Sequence, residues 1–231
     1  MPPRDVVLYV DESAAAVKDG PLVFFWHGAG GSPDEADFGL GKAIDAIIAA
    51  GGIVAAPFHD PAAGDLPWFY SLGGTRDDDL LVADEVLACV RASVGIDTRR
   101  IYSLGFSAGA IHNTQFAARR SGYVASIVVY SGARLNTPDE QDASNIYPAL
   151  LFHGGPSDQV FLAFDKTTLQ YEQALKDEGH TAIVCNHGMG HTVPADGRDA
   201  AWQFLQDHPF AETPEPYEDG LPAVFPAYCI P

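Results

Sequence analysis

The chain lacks most of the features that would assign it to a membrane, a nucleic acid or a metal. No apolar run in its 231 residues approaches the roughly 20 that a spanning helix needs. Basic residues are scarce: 13 Lys and Arg face 31 Asp and Glu, a formal charge of −18. Such a surface repels phosphate backbones and anionic headgroups, so neither nucleic acid nor membrane is expected as a partner, and polyanionic substrates are disfavoured. The acid clusters in "SPDEAD", "RDDDLLVADE" and "AETPEPYEDG", which read as solvated surface. Cysteine is scarce too. Cys89, Cys185 and Cys229 form neither a CxxC pair nor a Cys/His zinc spacing, and "DDD" lacks the spacing of a calcium loop, so no metal is expected. No internal repeat is evident. The opening "MPPRDVVLYV" has no basic-then-apolar leader pattern. That leaves two readings: a cytoplasmic protein, or a secreted or periplasmic one whose leader has been trimmed.

What is present is a core. Hydrophobic residues make up 47% of the chain, enough for one sizeable domain. Seven apolar runs read as strands: 5–10, 21–28, 52–59, 100–107, 125–132, 148–155 and 181–188. Most do not alternate, as expected for strands covered on both faces. Helix-period stretches lie at 36–50, 77–94, 108–120, 159–178 and 196–207. In 77–94 the apolar stripe is Leu80, Leu81, Ala83, Val86, Leu87 and Val90, and Cys89 is expected on the same buried side. Alternating strand and helix predicts an α/β fold, a mostly parallel central sheet with helices on both faces and no large cap domain.

The catalytic domain is expected over 1–208. The tail 209–231 is rich in proline, yet it carries Phe210, Tyr217, Leu221, Val224, Phe225 and Tyr228, so it is expected to pack on the same body. A Cys185–Cys229 bridge would need an oxidising compartment, and one pair out of three cysteines argues for it only weakly.

Three motifs carry chemistry. The first is "RIYSLGFSAGA", a strand, then Gly105-Phe106-Ser107-Ala108-Gly109, then a helix. On so sharp a turn Ser107 would stand exposed at the carboxyl edge of the sheet, with the amino end of a helix behind it. Without the strand and helix the same cluster would be only a glycine-rich turn. The second is "FFWHGAGGS". A tetrahedral oxyanion needs preorganised N–H donors, and the backbone amides of Ala29 and Ala108 are the candidates for an oxyanion hole; His27 reads as an anchor of the loop. The third is an acid and then a histidine beyond later strands, Asp158 in "LLFHGGPSDQV" and His191 in "TAIVCNHGMGHTVP". His191 would take a proton from Ser107, and Asp158 would fix its tautomer. His187 competes with His191 but lies nearer the strand. Asp165 competes with Asp158 but falls in a helix-period segment. His153 reads as a strand end and His112 as helix surface.

With these pieces in order, the chain resembles the α/β-hydrolase superfamily of serine esterases, and within it the polyhydroxybutyrate-depolymerase and feruloyl-esterase-like group. The resemblance runs from about Gly20 to His208 and rests on "PLVFFWHGAGGS", "PWFY", "DDLLVADEVLACV", "IDTRRIYSLGFSAGA", "LLFHGGPSDQV" and "GMGHTVP". One departure is Ala110, which stands where the family usually has a second glycine after the Ser-Ala-Gly. The resemblance implies a serine hydrolase that cleaves carboxylic esters through an acyl-enzyme, without a cofactor. Small-molecule or polymeric esters of aromatic or short hydroxy acids would be its substrates. A peptidase with the same triad, or a non-catalytic binding protein retaining the fold, is the alternative.

The stretch 60–75 is long and irregular and follows a strand, so it should emerge at the serine's edge of the sheet. It carries Trp68, Phe69 and Tyr70. These three either tuck under to close the core or form a substrate-binding wall of the cleft.

Overall fold

The computed structural model describes residues 3–13, 18–71 and 74–231. Its strands are β1 (Val6–Tyr9), β2 (Gly20–Trp26), β3 (Ile53–Pro57), β4 (Ile96–Phe106), β5 (Ser126–Tyr130), β6 (Ala149–His153), β7 (Ala182–Asn186) and β8 (Cys229–Ile230). They form one sheet in the order β1-β3-β2-β4-β5-β6-β7-β8. The six inner strands are parallel, while β1 runs antiparallel to β3 and β8 antiparallel to β7. The order reverses direction at β2 and β4, the place where open α/β sheets leave a crevice beyond their carboxyl ends.

The helices are α1 (Glu35–Leu40), α2 (Ala43–Ala49), α3 (Asp78–Ser93), α4 (Ala108–Arg119), α5 (Phe164–Asp177) and α6 (Arg198–Asp207). Successive strand residues point to opposite faces, and each face has its own cluster. Val23, Phe25, Tyr102, Leu104, Val128, Tyr130, Leu150 and Phe152 pack with α1, α2 and α6. Leu22, Phe24, Trp26, Ile101, Ile127, Val129 and Leu151 pack with α3, α4 and α5. Burial on both faces explains why these strands do not alternate in sequence.

Several expectations need correction. The stretch 36–50 is two helices, because Gly41 adopts φ 55° between them and a Cβ there would stand 3.1 Å from Arg198 Cδ. The helix expected from 159 begins at Phe164. Residues 159–163 instead fold back on themselves, with a bridge between Gln159 and Ala163 and a bond from Phe164 N–H to Asp158 O. In α3, Leu81 is 44% exposed and Cys89 is a free, exposed thiol, so the buried stripe is narrower than its apolar residues suggest.

β8 was not foreseen, since two residues carry no periodicity. Cys229 pairs with Cys185 across the β7–β8 ladder and is disulfide-bonded to it. Upstream of β8, Tyr217 and Phe225 are buried in the α6-side cluster, with Phe210, Leu221 and Tyr228 half-buried on it. Among the described residues no helix is long and apolar enough to cross a membrane.

Candidate active site

β4 ends at Phe106 and α4 begins at Ala108, so Ser107 alone makes the turn. It does so at φ 55° and ψ −120°, a conformation that costs a non-glycine residue about 1–3 kcal/mol. The neighbouring chain holds it there. Ser107 N–H donates to Tyr130 O at 2.9 Å, and Ile111 N–H donates to Ser107 O at 3.0 Å. Both flanking glycines are required by space: a Cβ on Gly105 would lie 2.4 Å from Gly109 O, and one on Gly109 would lie 2.0 Å from Trp26 O.

Asp158 and His191 come from the loops after β6 and β7. These two loops lie backbone to backbone. His187 N–H donates to His153 O at 3.1 Å, Gly190 N–H to Gly154 O at 3.0 Å, and a Cβ on Gly154 would stand 1.9 Å from Gly190 O. This approach delivers the histidine to both of its partners. Ser107 Oγ–H donates to His191 Nε2 at 2.9 Å, and His191 Nδ1–H donates to Asp158 Oδ1 at 2.7 Å.

Asp158 is fully buried, and its second oxygen accepts from Ser131 Oγ–H at 2.7 Å and Gly154 N–H at 2.8 Å. Burial alone would raise its pKa, but the donors His191, Gly154 and Ser131 together hold the carboxyl below its ordinary range. Ser131 was not singled out from the sequence. It ends β5 as Ser107 ends β4, also at positive φ, 53°. Its signal was a small polar residue after a buried strand, which is too common to select by itself.

The glycine-rich turn after β2 lies beside the serine: a Cβ on Gly28 would be 3.4 Å from Ser107 Cβ. Gly28 N–H is already bound, donating to Glu35 Oε2 at 2.7 Å, so Ala29 offers the next amide along the turn. Ala108 offers its own from the first turn of α4. Glu35 is a second residue that the sequence reading missed. Burial raises its pKa, partly opposed by the Gly28 bond. His27 is buried, with Nδ1–H donating to Gly28 O at 2.8 Å and Nε2 accepting from His59 at 3.3 Å. Burial pushes it down to about 4, so it is a neutral anchor of the turn.

The segment 68–71 does reach this edge, but Trp68 and Tyr70 do not wall a cleft. They are 1% and 3% exposed and belong to the α4-side core, and Phe69 is half-buried under the Arg76 guanidinium. The reason is hydrogen bonding as much as apolar area. Trp68 Nε1–H donates to His27 O at 2.8 Å, and Ser71 Oγ–H donates to Ala108 O at 2.8 Å. The segment therefore ties the turn after β2 and the start of α4 from below.

Two more readings are corrected. His112 is no surface residue: it is fully buried among Trp26, Trp68, Tyr70 and Phe116, and burial pushes it down to about 4. Nor is the whole of "DDD" solvated, for Asp79 is fully buried, paired with Arg4 and accepting from Phe69 N–H at 2.7 Å. His187 accepts from Met189 N–H at 3.3 Å and its ring lies near that of Tyr228, centroids 6.3 Å apart, while the bond to Ser107 Oγ is made by His191. His153 accepts from Gly155 N–H. Asp165 lies in the first turn of α5. The group of potential metal ligands found among the described residues, Glu140, Glu178 and His180, includes none of Ser107, Asp158 and His191, and Arg134 forks onto Glu178.

A serine strained at the crossing of β4 and α4, facing a histidine and a buried acid from later loops of a mostly parallel sheet, defines an α/β hydrolase. The family model for phospholipases and carboxylesterases matches residues 81–209, more than half of the chain, and the chain belongs to that family. Over 153 residues it is 27% identical to NocK of Nocardia uniformis subsp. tsuyamanensis, a protein assigned as an esterase. That match covers 64% of this chain and 43% of NocK, less than half of the relative's length. Among solved structures, the Bacillus cereus carboxylesterase superposes with a TM-score of 0.67 at 13% identity, covering 88% of this chain and 93% of the other. Esterase PE8 gives 0.64 at 24% identity, covering 89% and 99%. At these identities the likeness is one of fold.

Proposed function

We propose that the protein is a serine hydrolase that cleaves carboxylic esters through an acyl-enzyme. One observation carries the reading: Ser107 Oγ, held out by a strained turn, lies 2.9 Å from His191 Nε2, whose other nitrogen lies 2.7 Å from buried Asp158. That spacing suits proton transfer along the relay. Ser107 Oγ attacks the ester carbonyl carbon while Nε2 takes its proton. The carbonyl oxygen becomes an oxyanion, which the Ala29 and Ala108 amides bind. As the tetrahedral centre collapses, the C–O bond to the alcohol breaks and His191 returns the proton to the leaving oxygen. A water, deprotonated by the same nitrogen, then attacks the acyl carbon; the C–O bond to Ser107 breaks, His191 returns the proton to Oγ, and the acid leaves. Asp158 stays ionised throughout and steadies the imidazolium. None of these steps calls for a cofactor or metal.

The choice of ester over amide rests on family membership and on the relative NocK being assigned as an esterase. Esters of aromatic or short hydroxy acids are the proposed substrates, from the resemblance of the site motifs. The test is labelling with a fluorophosphonate followed by peptide mapping, then kcat/KM across short p-nitrophenyl esters, methyl ferulate, a 3-hydroxybutyrate oligomer and a long-chain triglyceride. Covalent label on Ser107 with turnover of the ferulate or the oligomer is expected. An unlabelled Ser107 would remove the enzyme reading, and preference for the triglyceride would remove the substrate class.

A further inference from the structure

Five rings run in contact through the relay. Phe38 and Phe106 have centroids 5.7 Å apart, Phe106 and His191 4.9 Å, His191 and Phe164 4.9 Å, and Phe164 and Phe161 5.8 Å. His191 is the middle ring. Phe164 is fully buried against Ile111 and Ala133 and fixes one side of the run. The two outer rings are open to solvent, Phe38 37% exposed on α1 and Phe161 43% exposed in the loop between Asp158 and α5. Val160 and Met189, close to Phe161 and His191 in the chain, are exposed as well. On the far side the Arg198 guanidinium lies over Phe38, which keeps that ring in place.

A single exposed phenylalanine needs no explanation, but two exposed rings joined through the proposed base do. They approach the reacting centre from different elements, each one ring removed from His191: Phe38 on α1 through Phe106, and Phe161 in the loop after Asp158 through Phe164. A substrate carbonyl seated between Ser107 and the amides of Ala29 and Ala108 would send its acyl group to one side and its alcohol group to the other. Each would then pass over an open aromatic ring.

We propose that Phe38 and Phe161 form two apolar subsites on opposite sides of the scissile bond, so that the substrate is an ester carrying an apolar group on both its acyl and its alcohol side. This rests on the reading of Ser107 and His191 as catalytic. A sugar or charged alcohol would lose hydration over either ring, whereas an aryl or aliphatic group gains contact. The substrate lies along the surface, which admits a chain of repeating ester units as readily as a small diester. The aromatic wall that the sequence suggested at Trp68–Tyr70 is supplied instead by residues far from it in the chain.

The experiment uses four esters followed by pH-stat: methyl acetate, benzyl acetate, methyl 3-phenylpropanoate and benzyl 3-phenylpropanoate. In the unaltered protein kcat/KM should rise about tenfold for each apolar group added, within the range a hydrophobic contact supplies. Phe38→Ser should erase the gain from one side of the ester and Phe161→Ser the gain from the other. Phe38→Leu and Phe161→Leu, which keep apolar area, should preserve most of both. Circular dichroism melts establish that the variants are folded. A flat profile across the four esters with Ser107 still labelled by fluorophosphonate would overturn the subsites while leaving the enzyme reading intact. So would equal losses on all four esters in both serine variants, since the rings would then only support His191. Failure of the label itself would instead strike the catalytic reading.

Discussion

Gly109 lies so close to Trp26 that a Cβ on it would stand 2.0 Å from the Trp26 carbonyl oxygen and 2.6 Å from that of His27. The first turn of α4 is therefore pressed directly onto the end of β2, and through this contact the turn carrying Ala29 and the turn carrying Ser107 share one position. No side chain can give way, because the obstructing atoms are backbone. Gly109→Ala should separate the two turns, with a loss of kcat/KM of at least about 100-fold, as expected when reacting groups are misplaced by about an ångström. The melting temperature should fall as well. Normal kinetics in a normally folded Gly109→Ala protein would contradict this account of the elbow.

Ser131 should matter through Asp158 alone. Ser107→Ala and His191→Ala are each expected to lower kcat by about 10⁴-fold or more, and Asp158→Ala somewhat less. Ser131→Ala leaves Asp158 with the Gly154 and His191 donors, so its loss should be far smaller, on the order of tenfold, and should fall on kcat more than on KM. A Ser131→Ala defect confined to KM would mean that Ser131 touches substrate rather than orienting the acid.

Stability should decline in mild acid. Burial holds His112 and His27 down at about 4, against about 6.5 in the unfolded chain. Between those values the unfolded state binds more protons. Stability is therefore complete above about pH 6.5 and is lost as pH falls toward 4, by on the order of 3 kcal/mol per histidine. Neither nitrogen of His112 has a hydrogen-bond partner among the described residues, so His112→Leu leaves no acceptor or donor stranded. That variant should match the parent at pH 7.5 and lose less on going to pH 4.5. Equal acid losses in parent and variant, read by urea denaturation at the two pH values, would exclude His112 as a source.

The buried pair Arg4–Asp79 should be costly to break. Asp79 also holds Phe69 N–H, so Asp79→Ala strands that amide and leaves the buried Arg4 guanidinium with Asp60 alone, at 3.5 Å. A loss of about 3 kcal/mol is expected, while replacing Arg4 and Asp79 together by Met and Leu should recover only part of it, since Phe69 N–H still lacks its acceptor and Asp60 loses Arg4. If the single change costs no more than the double, the pair is not what holds the segment 68–71.

The tail should act as a strap on the loop that carries His191. Cys229 is bonded to Cys185 at the end of β7, Asn186 N–H donates to Tyr228 O at 3.0 Å, and Tyr228 Oη–H donates to Asp196 at 2.9 Å. Cys229→Ser should lower stability by about 2–4 kcal/mol, the usual contribution of a crosslink. Thermal melts with and without reductant check it: reductant should lower the parent's melting temperature and leave that of Cys229→Ser unchanged.

The features legible in the sequence are those whose cause is local. Ser107 was readable because a strand, a glycine-flanked small residue and a helix follow one another within a dozen positions. Asp158 and His191 were readable because each comes after a buried strand, and the strands of a parallel sheet deliver their succeeding loops to one edge. The covered sheet itself was readable from runs that are apolar without alternation. Tertiary structure alone decided the rest, because there the cause lies far along the chain. Ser131 matters through an acid 27 residues away. Trp68 is drawn inward by the carbonyl of His27, 41 residues back, and Asp79 by Arg4, 75 residues back. His112 meets Trp26 and Trp68 because α4 is covered on every side from Ala108 to Ala118, which the run His112-Asn113-Thr114-Gln115 does not announce. Local order follows from neighbouring residues, but which polar groups end up buried depends on the partners that the assembled sheet brings to them.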